Sequence, residues 1–290
     1  MHKQQMTHWK LTLAYDGSPY HGWQIQPDLS TIQGCLSDAI HRVVGERVLP
    51  QGSGRTDTGV HALAQVSSFS LQAPIPAANL HRALNRTLPP SIRILSAEPV
   101  PITFHARHSA LRKTYEYRIF PLRPPSLEPQ IASFESAEEQ ICPPTLAPFV
   151  WPCPWSLDLA ALNAACAHVV GTHDFTTFAA TDPDLTARTG ESEAPSPKTA
   201  IRTIGHSLWH AEGALLVYRV TATGFLHHMV RNLVGTFVLA GSRRLSPDSI
   251  PAILAARNRS AAGPTAPPHG LFLLQVEYPA LEPANLEPDL

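Results

Sequence analysis

The chain is short of cysteine, of lysine and of long apolar runs, and each shortage removes a class of protein. Four cysteines, Cys35, Cys142, Cys153 and Cys166, are spread over 290 residues with no C-x-x-C pair. That is too sparse for a disulfide framework, so thiols acting as small hydrophobes in a reducing cytoplasm are expected. No stretch reaches the roughly 18 apolar residues that span a bilayer, and Met1–Lys10 lacks the apolar centre of a secretory signal. Neither G-x-x-x-x-G-K-S/T nor G-x-G-x-x-G occurs, so no nucleotide cofactor is expected.

The formal charge of −1 gives no overall attraction to nucleic acid. Its make-up is more informative: 18 of the 22 basic residues are Arg. Arginine holds phosphate bidentately and stacks on bases, although a GC-rich genome also favours it. Acidic residues collect in Glu128–Glu139 and Glu282–Asp289, which leaves a more basic middle able to offer a local RNA surface.

Hydrophobic periodicity gives the organisation. Lys10–Tyr15 alternates apolar and polar residues as a half-buried strand does. Ser30 with Gln33 resembles a capping box ahead of Ile32, Leu36, Ala39, Ile40 and Val43, one face of a helix. Strands are expected at Arg47–Gly52, Gln65–Leu71 and Ser91–Val100, with a helix from Pro76 carrying Leu80, Ala83, Leu84 and Leu88 between the last two. A second β-α-β-β-α-β order follows. It has strands at Thr114–Phe120, Ala200–Trp209 and Ala214–Thr223, the latter pair joined at Glu212-Gly213, and a final strand at Leu271–Tyr278. Its helices are expected at Leu157–Val170, Phe225–Leu239, which Gly241 can terminate, and Pro247–Arg257. The expected fold is α+β: two ferredoxin-like halves with mainly antiparallel sheets and a catalytic cleft between them. The halves are residues 1–110 and 111–280, the second with Pro-rich insertions near 121–155 and 181–198, read as partly disordered surface segments; an acidic tail, 281–290, follows.

The densest local signal is GSGRTDTGVHA, Gly52–Ala62. Gly54 and Gly59 would let the backbone turn on either side of Asp57. Arg55 can pair with the Asp57 carboxylate, and an adjacent arginine keeps an aspartate ionised. Such a group suits a nucleophile or base better than an acid. The alternative is an ordinary Asx-type turn, which D-x-G segments often make. The double histidine His227-His228 invites a metal, but adjacent helix residues point about 100° apart and chelate poorly. No H-E-x-x-H accompanies it. No metal is expected, and RNA backbone contact or helix packing accounts for the pair.

Gly54–Ala62 resembles the catalytic loop of the bacterial tRNA pseudouridine synthase A family. YDGSPYHGWQIQ (Tyr15–Gln26) resembles that family's first motif and FHARHSALRKTYEYRI (Phe104–Ile119) its middle one. GTHDFTTF (Gly171–Phe178), GFLHHMVRNLVGT (Gly224–Thr236) and HGLFLLQVEY (His269–Tyr278) are similar to later ones, all in family order. The resemblance implies isomerisation of uridine to pseudouridine at positions 38–40 of tRNA, without cofactor, by a homodimer. It implies that Asp57 is the catalytic carboxylate, attacking the ribose C1′ or the uracil ring or removing a ribose proton. Tyr115 would lie against the target base, Arg231 would pair with the catalytic aspartate, and Leu271 would flank the uracil. Arg55 would fill the stack when the uridine flips out. For Tyr115 and Leu271 the alternative is plain strand packing.

A phosphate path is expected over Arg82, Arg86, Arg107, Arg112 and Lys113. Arg82 and Arg86 are four apart on one helix face, while the other three flank the middle motif. Two competing readings are an RNA-binding protein without turnover, which would not require Asp57, Tyr115 and Arg231 together, and an enzyme acting on ribosomal RNA.

Overall fold

A computed structural model of the chain describes residues 6–123, 140–180 and 200–280. The Pro-rich insertion expected near 181–198, the acidic tail 281–290, and the part of the Pro-rich segment near 121–155 that holds the acidic stretch Glu128–Glu139 lie outside the described residues. The chain divides into two compact units. Unit 1 is Met1–Thr114 with Phe272–Leu290, and unit 2 is Tyr115–Leu271. Among the described residues the architecture is α+β with mostly antiparallel strand pairing, as the periodicity predicts.

In unit 1 the order is β1 (Thr7–Tyr15), α1 (Ile32–Val44), β2 (Gln51–Gly52), β3 (His61–Leu71), α2 (Ala77–Thr87) and β4 (Ile92–Val100). Trp9, Leu11, Leu13 and Tyr15 are the buried alternate positions of β1. β1 pairs antiparallel with both β3 and β4, and β2 pairs with β3. Ile32, Leu36, Ala39 and Ile40 form the buried face of α1, and Leu80 and Leu84 that of α2. Each such side chain contributes roughly 1.5–3 kcal/mol on burial. The α1 cap is Thr31, whose hydroxyl accepts from Gly34 N–H at 3.3 Å. The cap is therefore one residue later than expected at Ser30, and it is a plain N-cap and not a capping box, since the third helical position is Gly34. Gln33 is drawn into tertiary bonds instead, accepting from Ile25 N–H and donating to the Pro50 carbonyl.

In unit 2 the order is β5 (Arg112–Pro121, whose first three residues fall in unit 1), β6 (Trp151–Cys153), α3 (Leu159–Ala167), β7 (Gly171–Asp174), β8 (Ile201–Glu212), β9 (Leu215–Ala222), α4 (Met229–Gly241) and α5 (Ile250–Ala255). The strands run β5-β9-β8-β7, with β6 parallel to β5. β6 corrects the reading of the Pro-rich stretch as surface insertion: Val150 and Cys153 are fully buried there. Trp209 stacks on Tyr218, and Tyr218 meets Phe237 of α4 edge-on, which seats α4 on the sheet. The helix expected from Phe225 begins only at Met229, because His228 sits at φ 58°, outside helical geometry. At its other end the left-handed residue is Arg243 (φ 59°), not Gly241. The last strand, β10 (Leu271–Glu277), adds to unit 1, pairing parallel with β3 through Phe272–His61 and Leu273–Ala62. All four cysteines are free, and Cys153 and Cys166 are buried, as small hydrophobes would be.

Candidate active site

Asp57 stands half-buried in unit 1 on the loop between β2 and β3. The backbone turn expected at Gly59 is present, closed by main-chain atoms: Val60 N–H donates to the Asp57 carbonyl at 3.1 Å, with Gly59 at φ +77° in the third position. That position favours glycine. The backbone also bends at Ser53-Gly54, as expected, although Gly54 does so without a left-handed conformation.

The loop is fixed from three directions. Before Asp57, Ser53 Oγ donates to Gln65 Oε1 at 2.6 Å, and Gln65 Nε2 donates to the Gly54 carbonyl at 3.0 Å. Next to it, the Thr56 hydroxyl meets the Tyr15 hydroxyl at 2.8 Å, and Trp23 N–H donates to the Thr56 carbonyl at 3.0 Å. Burial pushes the Tyr15 phenol up to about 12, against smaller opposing effects of its bonds to Thr56 and Gln65. After it, buried His61 accepts the Gly17 N–H at Nδ1, 3.1 Å away, and stacks on Phe272 with ring centroids 4.7 Å apart. Asp16 Oδ1 lies 3.2 Å from the same nitrogen, so protonated His61 would donate there instead. Tyr15, Gly17, Gly22 and Trp23 all belong to the first motif. Their role is to shape the loop.

Unit 2 gathers a second set. Arg231 lies in the first turn of α4, half-buried; its Nε donates to the Ala266 carbonyl at 2.8 Å, and Ala266 N–H donates back to the Arg231 carbonyl at 3.1 Å. This docks Asn258–Gly270 onto α4. Fully buried Asn232 completes the docking: its amide donates to the Phe178 carbonyl, and its oxygen accepts from Arg259 and from the Thr265 hydroxyl. Tyr117 on β5 donates to the Pro267 carbonyl at 2.8 Å, and its ring lies against Gly270, just before Leu271. Tyr115, buried on the same strand, meets Phe225 edge-on at 5.0 Å. Burial, helped by the Arg231 charge, holds the His269 imidazole below its ordinary range. Arg231, Tyr115 and Leu271 thus belong to unit 2, while Asp57 and Arg55 belong to unit 1. The GTHDFTTF motif is a support for α4, with Phe175, Thr177 and Phe178 wholly buried.

His227 and His228 precede α4, with ring centroids 4.0 Å apart and tilted 32°, so the argument from helical spacing does not apply to them. Arg82 and Arg86 are both exposed on α2, as expected, and Arg107 is exposed after β4. Arg112 is exposed and pairs with Glu277 at 3.4 Å. Lys113 is different: half-buried, it donates to the Ser53 carbonyl at 2.5 Å. Sequence reading missed Gln65, Asn232 and Tyr117. Gln65 at the expected start of a strand could have been flagged, since a polar residue at a core position needs partners; Asn232 within an otherwise apolar helix carried the same signal.

Comparison with known proteins gives one family. Its model, described as tRNA pseudouridine synthase, matches residues 12–109 and 165–279. A protein named tRNA pseudouridine synthase A from Solibacter usitatus strain Ellin6076 is 45% identical over 270 residues, 93% of this chain and 98% of that one. Its namesake from Moorella thermoacetica is 43% identical over 272 residues, again covering 93% and 98%, and one from Rhodopseudomonas palustris strain CGA009 is 39% identical over 275 residues, covering 94% and 99%. Both the loop that carries Asp57 and the α4 turn that carries Arg231 fall within the matched ranges, and the chain belongs to the tRNA pseudouridine synthase family.

Proposed function

We propose that this protein isomerises uridine to pseudouridine in the anticodon stem-loop of tRNA, at positions 38–40, with Asp57 as the catalytic carboxylate. The observation that carries the reading is the placement of Asp57: Ser53, Gly54 and Thr56 ahead of it are hydrogen-bonded to buried Gln65 and Tyr15, and buried His61 after it holds Gly17 N–H, inside a segment matched to the family. A preorganised carboxylate is what a group that must meet one reacting atom requires. The reaction breaks the N1–C1′ bond and forms C5–C1′; N1 gains a proton and C5 loses one. The sum is redox-neutral and moves no group between molecules, so it draws on no cofactor.

Asp57 acts on the ribose C1′ or the uracil ring, or removes a ribose proton. Tyr115, Arg231 and Leu271 serve the same uridine in the roles their motif positions imply, and Arg55 fills the stack the flipped base vacates. Arg82, Arg86, Arg107 and Arg112 contact phosphates outside the base pocket, and His227 and His228 contact backbone near it. The working form is a homodimer in the cytoplasm, where its substrate is; among the described residues no helix is long and apolar enough to cross a membrane.

Incubation of the wild-type protein with unmodified tRNA transcripts, then cyanoethylation and mass mapping, tests the reading, because pseudouridine is otherwise mass-silent. Cyanoethylated pseudouridines at 38–40 are expected. Unmodified transcripts after complete binding would leave an RNA-binding protein without turnover.

A further inference from the structure

Lys113 looks in the sequence like one more cation on an RNA-facing surface. Its surroundings in unit 1 are of another kind. It is half-buried, its Nζ is 2.5 Å from the Ser53 carbonyl, and the same ammonium lies against Gly54, where an added Cβ would come within 3.0 Å of it. The next carbonyl in the chain, that of Gly54, accepts from Gln65 Nε2 at 3.0 Å. Gln65 is fully buried and spends its own oxygen on Ser53 Oγ, at 2.6 Å, and on Val66 N–H, at 3.1 Å. Ser53 N–H in turn donates to the Val66 carbonyl at 2.7 Å.

Two consecutive peptide planes are thereby fixed, one by an ammonium and one by a buried amide, at the carbonyls of Ser53 and Gly54, four and three residues before Asp57. A charged donor makes a stronger bond than a neutral one, and a peptide plane pinned at its oxygen cannot rotate without breaking that bond. Errors there propagate directly: a rotation at Ser53 or Gly54 swings everything up to the Asp57–Val60 turn. Displacement of a reacting group by about 1 Å can lower a rate on the order of a hundredfold.

We propose that Lys113 is a positioning residue for the reaction, clamping the Ser53 carbonyl so that the loop presents Asp57 in register, and is not a phosphate contact. The proposal rests on the reading of Asp57 as the catalytic carboxylate. A phosphate contact and a clamp fail differently. Loss of a phosphate contact weakens tRNA binding and flattens the log–log salt slope by about 0.7–0.9, but leaves the rate on saturated enzyme intact. Loss of the clamp slows the bound complex and leaves the salt slope alone.

The experiment compares Lys113→Met and Lys113→Arg with the wild-type full-length chain. It reads thermal stability, tRNA affinity at several salt concentrations, and the single-turnover rate at saturating unmodified transcript. Lys113→Met is expected to slow the single-turnover step by about 10–100-fold, with affinity within about twofold and an unchanged salt slope. Lys113→Arg, which keeps a charged donor, should recover most of that rate. Gln65→Leu, which loosens the adjacent carbonyl by an independent route, should slow the same step and serves if Lys113→Met does not fold. A flattened slope with an intact saturated rate would overturn the proposal, as would rates that fall only in proportion to the unfolded fraction, or Lys113→Arg as slow as Lys113→Met. Absence of turnover in the wild type would instead remove the reading of the loop itself, so the two failures are separable.

Discussion

Gly22 is packed against the backbone of Asp57. A Cβ at Gly22 would stand 3.2 Å from the Asp57 carbonyl carbon and 2.6 Å from the Thr56 carbonyl oxygen, and its φ of +83° is one that L side chains rarely adopt. Gly45, the residue that ends α1, has nearly the same φ, +78°, but nothing within 4 Å of the added atom. The pair separates backbone strain from displacement of the catalytic loop. Both Gly22→Ala and Gly45→Ala should lose about 1–2 kcal/mol for the left-handed conformation. Only Gly22→Ala should lose more than tenfold in single-turnover rate at saturating tRNA. Denaturant melts and rapid-quench assays check this, and a Gly22→Ala protein with normal turnover would show that the first motif does not set the loop.

Asn232 ties Phe178, Arg259 and Thr265 to the first turns of α4 from a fully buried position. Asn232→Ala leaves those partners without their bonds inside the fold, so a loss of about 2–3 kcal/mol is expected. The midpoint of urea unfolding measures it. Because the same network docks the segment that Arg231 holds, turnover should fall in the folded variant too.

Alkaline stability has a definite sign. Burial raises Tyr15 from 10.0 to about 12, so the folded chain holds this proton more tightly than the unfolded one. The contribution, roughly 2–3 kcal/mol, is fully present below pH 10 and is lost as pH rises from 10 to about 12. Burial also raises Tyr117, Tyr218 and Tyr278, which adds to the same limb. Tyr15→Phe should cost about 1 kcal/mol at neutral pH for its bond to Thr56 and make unfolding less pH-dependent above pH 10. Equal alkaline slopes for the two proteins would count against a buried, raised phenol.

The larger elements were legible because burial writes a period. Leu11, Leu13 and Tyr15 at every second place, and Ile32, Leu36, Ala39 and Ile40 at helical spacing, became the core they predict. What failed was set by single hydrogen bonds or single dihedrals. Gln33 left its local cap for Ile25 and Pro50, contacts that no local pattern encodes. His228 took a left-handed conformation within an apolar run that reads as continuous helix. Of the candidate site, the residue types and their loop were legible from motif resemblance. The supports, Gln65 beneath the loop and Asn232 beneath Arg231, were legible only as polar residues at core positions that need partners; which partners they take, Ser53 and Gly54 for Gln65 and Phe178, Arg259 and Thr265 for Asn232, is set by the tertiary fold.

The arginines of α2 test how a chain of net charge −1 meets a polyanion. Arg82 and Arg86 are exposed one turn apart. The double variant Arg82→Ala, Arg86→Ala should weaken tRNA binding and make the salt slope less steep by about 0.9 per lost contact. The single-turnover rate at saturating tRNA should hold. Unchanged affinity and slope would make them a solvated helix face.

The most direct test of the account is the single-turnover conversion of saturating, unmodified tRNA by Asp57→Asn. Asparagine keeps the shape of the side chain and the Asp57–Val60 turn, whose closing bond uses only main-chain atoms, but removes the charge and the nucleophilicity. The account predicts tRNA affinity within about twofold of wild type and no detectable pseudouridine. Retention of even about a tenth of the wild-type rate, little more than 1 kcal/mol of transition-state stabilisation, would contradict it.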